Sequence, residues 1–238
     1  MLTHTRGLCS WRERLTSPDR QWKRRFSAFE TAVAWENASA TLSGLPEPLE
    51  KLLRDNGFDQ PVLLPAVAEH KVALPGGTAA SQCDVWAVIK TTVGLLSLTV
   101  EAKAREAFGD EILERWLIAG KTKLSARNRK DRWDYIRTYL PDSDSLPRVR
   151  YQMLHRCAAS VIEARRLGCP HAAFVVQAFD TPDDSFRNYQ LFCEAMKIPA
   201  SRGGMGATTA AEVSLSVGWG DCRVCGRCSG GCLRLIVA

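Results

Sequence analysis

Nowhere in the 238 residues do about 18 apolar positions run together, so no stretch reads as a membrane-spanning helix. The opening residues are polar and basic, with no apolar core of a secretory leader, which makes a cytoplasmic protein without membrane partners the expectation. Internal repeats and long low-complexity tracts are missing as well. G-x-S-x-G and H-E-x-x-H do not occur, so serine-hydrolase and zinc-protease readings have no support. The glycine-rich stretch from Gly203 to Thr209 lacks the Gly-Lys-Ser/Thr ending of a phosphate-binding loop and reads as a plain linker.

What is present is an ordinary globular composition, 45% hydrophobic and 24% charged, in a chain long enough to bury a real core. A net charge of +6 suits an anionic partner without requiring one. Residues 1–24 carry Arg12, Arg14, Arg20, Lys23 and Arg24 and read as a loosely held basic arm. Residues 25–219 hold the folded domain, and 220–238 form a cysteine-rich tail where the composition shifts abruptly.

Helices are expected from Arg25 to Ala38, from Leu49 to Asn56, up to about Ala119 and over about 129–139. Others run from Arg150 to Leu167, with Gly168 as the stop, and from Ser185 to Met196. Strands are expected over Glu69–Leu74, 83–90, 95–103, Ala172–Phe179 and Glu212–Trp219. Together they predict an α/β fold, a mixed central sheet of about five strands with helices on both sides.

The chemistry concentrates between Gln82 and Lys103. Thr91-Thr92-Val93-Gly94 is a hairpin loop, and pairing Lys90 with Leu95 sets Asp84 directly opposite Glu101. In that register Cys83, Val85, Ala87 and Ile89 share an apolar face with Leu96, Leu98, Val100 and Ala102. Asp84, Glu101 and Lys103 share the other, and Glu69 lies on the polar face of the preceding strand. Two carboxylates at this spacing suit Mg²⁺ or Mn²⁺, with the Ala102 carbonyl as a third ligand and Lys103 beside the metal-bound water. The same residues also fit an ordinary polar strand face of surface ion pairs.

The order Glu69, Asp84, Glu101-Ala102-Lys103 on consecutive strands, followed by helices, resembles the PD-(D/E)xK, restriction-endonuclease-like nuclease superfamily. The likeness covers roughly residues 20–219. The segments EHKVALPGG, SQCD, VEAKAREAFG, RYQMLHR and IEARR resemble an uncharacterised bacterial domain family within that superfamily. It implies metal ligation by Asp84 and Glu101, a catalytic Lys103, Glu69 as the upstream acidic position, and cleavage of nucleic acid, DNA over RNA. Homodimers are common where such folds cut both strands of a duplex. The sequence departs at Cys83, where the signature has proline, and at Glu106-Ala107, where Glu-Pro is expected. A non-catalytic module that binds nucleic acid or a partner on the same fold is the alternative.

Downstream, Gln152 and Arg156 share a helical face with His155 beside them. In this resemblance Gln152 holds the site's water or lysine and Arg156 takes a phosphate, while His155 fits a packing role equally well. Residues 121–137, with Arg127, Arg129 and Lys130 around Trp133 and Tyr135, fit a nucleic-acid-tracking surface or the solvated face of an amphipathic helix.

The nine cysteines divide in character. Cys83, Cys157, Cys169 and Cys193 read as small core residues. Cys222, Cys225, Cys228 and Cys232 have ferredoxin-like spacing, though no proline follows and no second run exists to share the fourth ligand. Zn²⁺, an iron–sulfur cluster with Cys9 as a distant helper, a metal- or redox-sensing role, or a disordered or non-native end all fit this tail.

Overall fold

The computed structural model describes residues 5, 7–109 and 111–224. Its frame is a mixed six-stranded sheet. Strands β1 (Val62–Val72), β2 (Ser81–Thr91) and β3 (Gly94–Lys103) form an antiparallel meander. Helix α7 (Tyr151–Leu167) then crosses to β4 (His171–Phe179), parallel to β3. Helix α8 (Asp183–Ala195) leads on to β5 (Met205–Ala210) and β6 (Val213–Cys222), with β6 parallel to β4. The spatial order is β1-β2-β3-β4-β6-β5.

The predicted hairpin register holds: Lys90 pairs with Leu95, and Thr91 with Gly94 closes the turn. The expected count of about five strands is corrected to six. The addition is β5, from the stretch read as a linker, which returns onto β6 through Ala211 and Glu212 at φ +47° and +66°. Two-residue turns of that conformation favour Asn-Gly or Asp-Gly, so the sequence gives no turn signal there. Strand β1 also starts earlier than expected, at Val62. Pro65 is tolerated because β1 is an edge strand whose pairing slips between Leu63 and Ala66.

Both faces of the sheet are dry. Helices α3 (Ser27–Ala38) and α4 (Glu47–Asp55) contribute Ala32, Trp35, Leu49, Leu52 and Leu53 against Val85, Ala87, Ile89, Leu96, Leu98 and Val100. On the other side α7 lays Met153, Leu154, Cys157 and Val161 over Trp86, Val88, Phe174 and Val176. Two-sided burial explains the near-continuous apolar run of β4. Gly168 ends α7 at φ +67°, the left-handed cap expected of it. Cys83, Cys157, Cys169 and Cys193 are buried free thiols, as the sequence implies.

The N-terminal arm is not loose. Helices α1 (Leu8–Arg12) and α2 (Pro18–Gln21) fold back on the domain, with Trp11 only 6% exposed and its Nε1 donating to Glu36 Oε1 at 2.6 Å. Between β3 and α7 lie α5 (Leu113–Ile118) and α6 (Lys123–Ile136). Among the described residues no helix is long and apolar enough to cross a membrane.

Arg132 on α6 is a clamp rather than a surface cation: its Nε donates to Pro75 O at 3.0 Å and its Nη2 to Ala79 O at 2.6 Å. Gly76, inside that clamped turn, has φ +76°, and a Cβ there would fall 2.0 Å from Asn128 O. Gly76→Ala is therefore expected to cost about 2 kcal/mol or more in urea unfolding. A neutral result would show that the turn does not depend on this close approach.

Candidate functional site

At mid-length β1 and β2 break their alternation together. Glu69 takes φ +55° within β1. Along β2, Ser81 and Cys83 face α7, yet so do Trp86 and Val88, while Val85 and Ala87 face the opposite side. The side-chain period slips by one between Cys83 and Trp86, at Asp84. A left-handed φ at a non-glycine residue inside a strand costs of order 1–3 kcal/mol and persists only where the surroundings impose it.

The slip changes what Asp84 does. The recorded β2–β3 pairing ends at Val85–Val100, one pair short of the direct Asp84–Glu101 opposition expected from the sequence. Beyond it Asp84 Oδ2 accepts the Ala102 N–H at 2.6 Å, so a side-chain carboxylate stands where a backbone carbonyl would continue the ladder. β3 keeps its alternation and sends Glu101 and Lys103 to the α7 side.

There Glu101, 2% exposed, is fully engaged. Its Oε1 accepts from Lys103 Nζ and Gln152 Nε2, both at 2.7 Å, and its Oε2 from Arg156 Nε at 2.8 Å. Gln152 Oε1 in turn accepts the Gly109 N–H at 2.7 Å, and Arg156 Nη1 donates to Ser81 Oγ at 3.3 Å. Gln82 Nε2 donates to Glu69 Oε2 at 2.5 Å.

The charges are unequal. Burial alone would raise Glu101, but Lys103 and Arg156 outweigh it and hold its pKa below the ordinary carboxylate value. Burial would likewise lower Lys103, yet Glu101 and Asp84 keep it raised and protonated. Asp84 is pushed well up by burial and then by Glu101 and Glu69. Glu69 is pushed up to about 6, chiefly by burial, against the pull of its Gln82 bond. Three carboxylates thus face two buried cations, and two of the three resist ionisation.

These groups line a cleft of about 580 Å³. Of the residues singled out in the sequence, Glu69, Asp84, Glu101, Ala102, Lys103, Gln152 and Arg156 meet there. His155 lies behind it, its Nδ1 2.8 Å from Ser81 Oγ and its ring 4.8 Å from that of Tyr151. Burial, with Arg156 and Arg132 adding to it, holds His155 well below the ordinary histidine pKa, so it is a neutral packing group. The α6 cations do not line this cleft. Arg129 is bound to Trp116 O and its ring, and Arg127 and Lys130 pair with Asp131 and Asp134 one turn on. Trp133 and Ile136 turn into the core, the amphipathic alternative.

Sequence reasoning missed the opposite wall: Thr16, Ser17, Arg20 and Gln21 of the arm, with Ser27 and Glu106. Glu106 Oε1 accepts the Ser27 N–H at 3.1 Å and ties that wall to the end of β3. Gln82 was within reach as the polar residue two before Asp84, but nothing in the sequence links the arm to the site.

Among the described residues no three His, Cys, Asp or Glu side chains stand together as a ready ligand cage. That donor set still suits Mg²⁺, which takes one or two carboxylates and completes its shell with water and phosphate. The fit is electrostatic: Asp84 and Glu69, held above their ordinary pKa beside the ionised Glu101, are neighbouring carboxylates whose crowding a divalent cation relieves.

Of the tail cluster, Cys222 ends β6 in an apolar group with Ala102, Ala104 and Phe179, and burial pushes its thiol up to about 12. Cys225, Cys228 and Cys232 lie outside the described residues.

The model of a family described as a domain of unknown function, DUF6946, matches residues 4–223. The chain belongs to this family. The DUF6946 match takes in the arm and every cleft residue and stops short of Cys225. No curated protein and no solved structure matches the chain.

A pH prediction follows from Glu69. Its folded pKa lies above the unfolded value near 4.5, so its stabilising effect is complete below that value and is lost as pH rises through about 6. In metal-free buffer the wild type should lose on the order of 2 kcal/mol between pH 4.5 and 7 that Glu69→Gln does not lose. Identical pH slopes for the two proteins in thermal melts would refute it.

Proposed function

We propose that the chain is a Mg²⁺- or Mn²⁺-dependent nuclease of the PD-(D/E)xK, restriction-endonuclease-like type, acting on phosphodiester bonds of nucleic acid, DNA in preference to RNA. One observation carries the reading. Asp84, Glu101 and Lys103, from adjacent strands, meet at the floor of one cleft, with Lys103 held on Glu101 at 2.7 Å. A helix, a three-strand meander, a crossover helix and a parallel strand, in that order, support the same assignment.

In this reading Asp84 and Glu101 offer carboxylate oxygens to the cation, and the Ala102 carbonyl, between Glu101 and Lys103 in sequence, is the third ligand. Bound there, the metal supplies an acidified water and a sink for phosphoryl charge. Lys103 stays protonated between Glu101 and Asp84, orients that water and offsets charge developing on the phosphate. Gln152 fixes the Glu101 carboxylate against the loop at Gly109. Glu69, held by Gln82, adds negative charge at the rim of the same cation site.

A second reading, a nucleic-acid- or partner-binding module without cleavage, draws on the complete engagement of Glu101 by Lys103, Gln152 and Arg156. The two part in one assay. The nuclease reading expects plasmid or single-stranded DNA to be cut with Mg²⁺ or Mn²⁺. It also expects Asp84→Asn, Glu101→Gln and Lys103→Ala to lose about a hundredfold or more while keeping wild-type circular dichroism. Bound but uncut nucleic acid favours the binding module. Cutting that survives Lys103→Ala at wild-type rate sinks the proposed mechanism.

A further inference from the structure

Three donors already crowd Glu101, and the acceptor capacity it has left for a cation lies on Oε2. Its Oε1 already has two donors, Lys103 Nζ and Gln152 Nε2, which use both lone pairs of a carboxylate oxygen. Only Oε2 has room to change partners, and its recorded partner is Arg156 Nε at 2.8 Å. Lys103 is short-tethered, two residues away on the same strand. Arg156 approaches from α7 on a long side chain, 12% exposed and lining the cleft. Of the two cations on Glu101, Arg156 is the one that can leave toward the open side.

The charge count favours that exchange. With Glu69, Asp84 and Glu101 all ionised, the state a bound divalent cation favours, these three and the cations Lys103 and Arg156 sum to one formal negative charge. A divalent cation turns this into one positive charge, and a phosphodiester then brings it to zero. Two cationic groups crowded on one buried carboxylate are costly, whereas a guanidinium facing a phosphate is a favourable bidentate pair. Ser81 Oγ, itself bonded to His155 Nδ1, gives the guanidinium a polar pivot that does not depend on Glu101.

We propose that Arg156 is a resident counter-ion of the metal-free centre, which gives up Glu101 Oε2 when the divalent cation binds and is thereby presented to the substrate phosphate. The inference rests on the metal centre of the nuclease reading and adds to it an order of events. Cation and nucleic acid then bind cooperatively through one side chain, and the reciprocity of such coupling makes it measurable from either ligand.

Two measurements on the full-length protein test it. The ¹⁵N–¹H resonance of Arg156 Nε, assigned by its loss in Arg156→Gln, should shift or lose its exchange protection under saturating Mg²⁺. Mn²⁺ binding, followed by electron paramagnetic resonance, should be about three- to tenfold tighter in Arg156→Gln than in wild type. A short DNA oligonucleotide should strengthen Mn²⁺ binding in the wild type and not in the variant. If Mg²⁺ binds and the Arg156 resonance stays in place, the exchange is wrong even where the protein still cuts DNA. If the wild type binds neither Mg²⁺ nor Mn²⁺, the metal centre fails and the exchange with it. If Arg156→Gln proves unstable, Arg156→Lys, which keeps the charge and also removes the Nε resonance, makes the assignment.

Discussion

A carboxylate sealed from water stays ionised only if its neighbours replace the lost hydration, and Glu101 is that carboxylate here. Lys103 and Arg156 hold it charged, and Gln152 completes the donor set. The three donors come from β3 and α7, so the pair of elements that builds the parallel crossover also neutralises the site. Loosening either would strand a buried charge. The tertiary packing and the electrostatics of the cleft are therefore one constraint. The α7–β3 contact cannot be repacked as plain hydrophobic surface without rebuilding the cleft.

The opposing carboxylates show the other side of that constraint. Asp84 and Glu69 are forced near Glu101 by the slip in β1 and β2, and burial together with mutual repulsion raises both. A fold optimised for stability alone would put neutral residues there and continue the ladder past Val85. Instead Asp84 takes the place of a backbone acceptor for Ala102, and Glu69 adopts a left-handed backbone. Strain and unfavourable ionisation at one locus is the pattern expected where function opposes stability.

The sheet and its central hairpin were readable because their signals are local. Alternation and a short turn set the Lys90–Leu95 register, and Gly168 marks the end of α7 because it takes a left-handed backbone that other residues resist. Spacing placed Asp84, Glu101 and Lys103 on neighbouring strands with Glu69 before them, and put Gln152 and Arg156 on one helical face, but only the family resemblance brought that helix to the site. What stayed hidden depends on partners distant in sequence. β5 turns through Ala211-Glu212, which carry no turn signature. Arg132 looks like one more surface cation until Pro75 and Ala79 arrive from elsewhere. The slip at Asp84 is invisible because period-two reasoning assumes an unbroken strand.

The arm is the instructive failure. Its basic composition reads as solvated, yet Trp11 is buried and Leu15 to Gln21 form a wall of the cleft. Two tryptophans, Trp11 and Trp22, eleven residues apart in a charged stretch give no periodicity, so the pattern cannot distinguish an anchor from an accident. Its consequence for the site is geometric. The carboxylates lie between a rigid sheet and a wall made of two short helices, tied to β3 through Ser27 and Glu106. That bond adds to the arm's own anchors, the buried Trp11 on Glu36 and Arg14 Nη1 donating to Ala68 O at 3.3 Å. Because the DUF6946 match begins at residue 4, this wall belongs to the family's domain and is not an appendage.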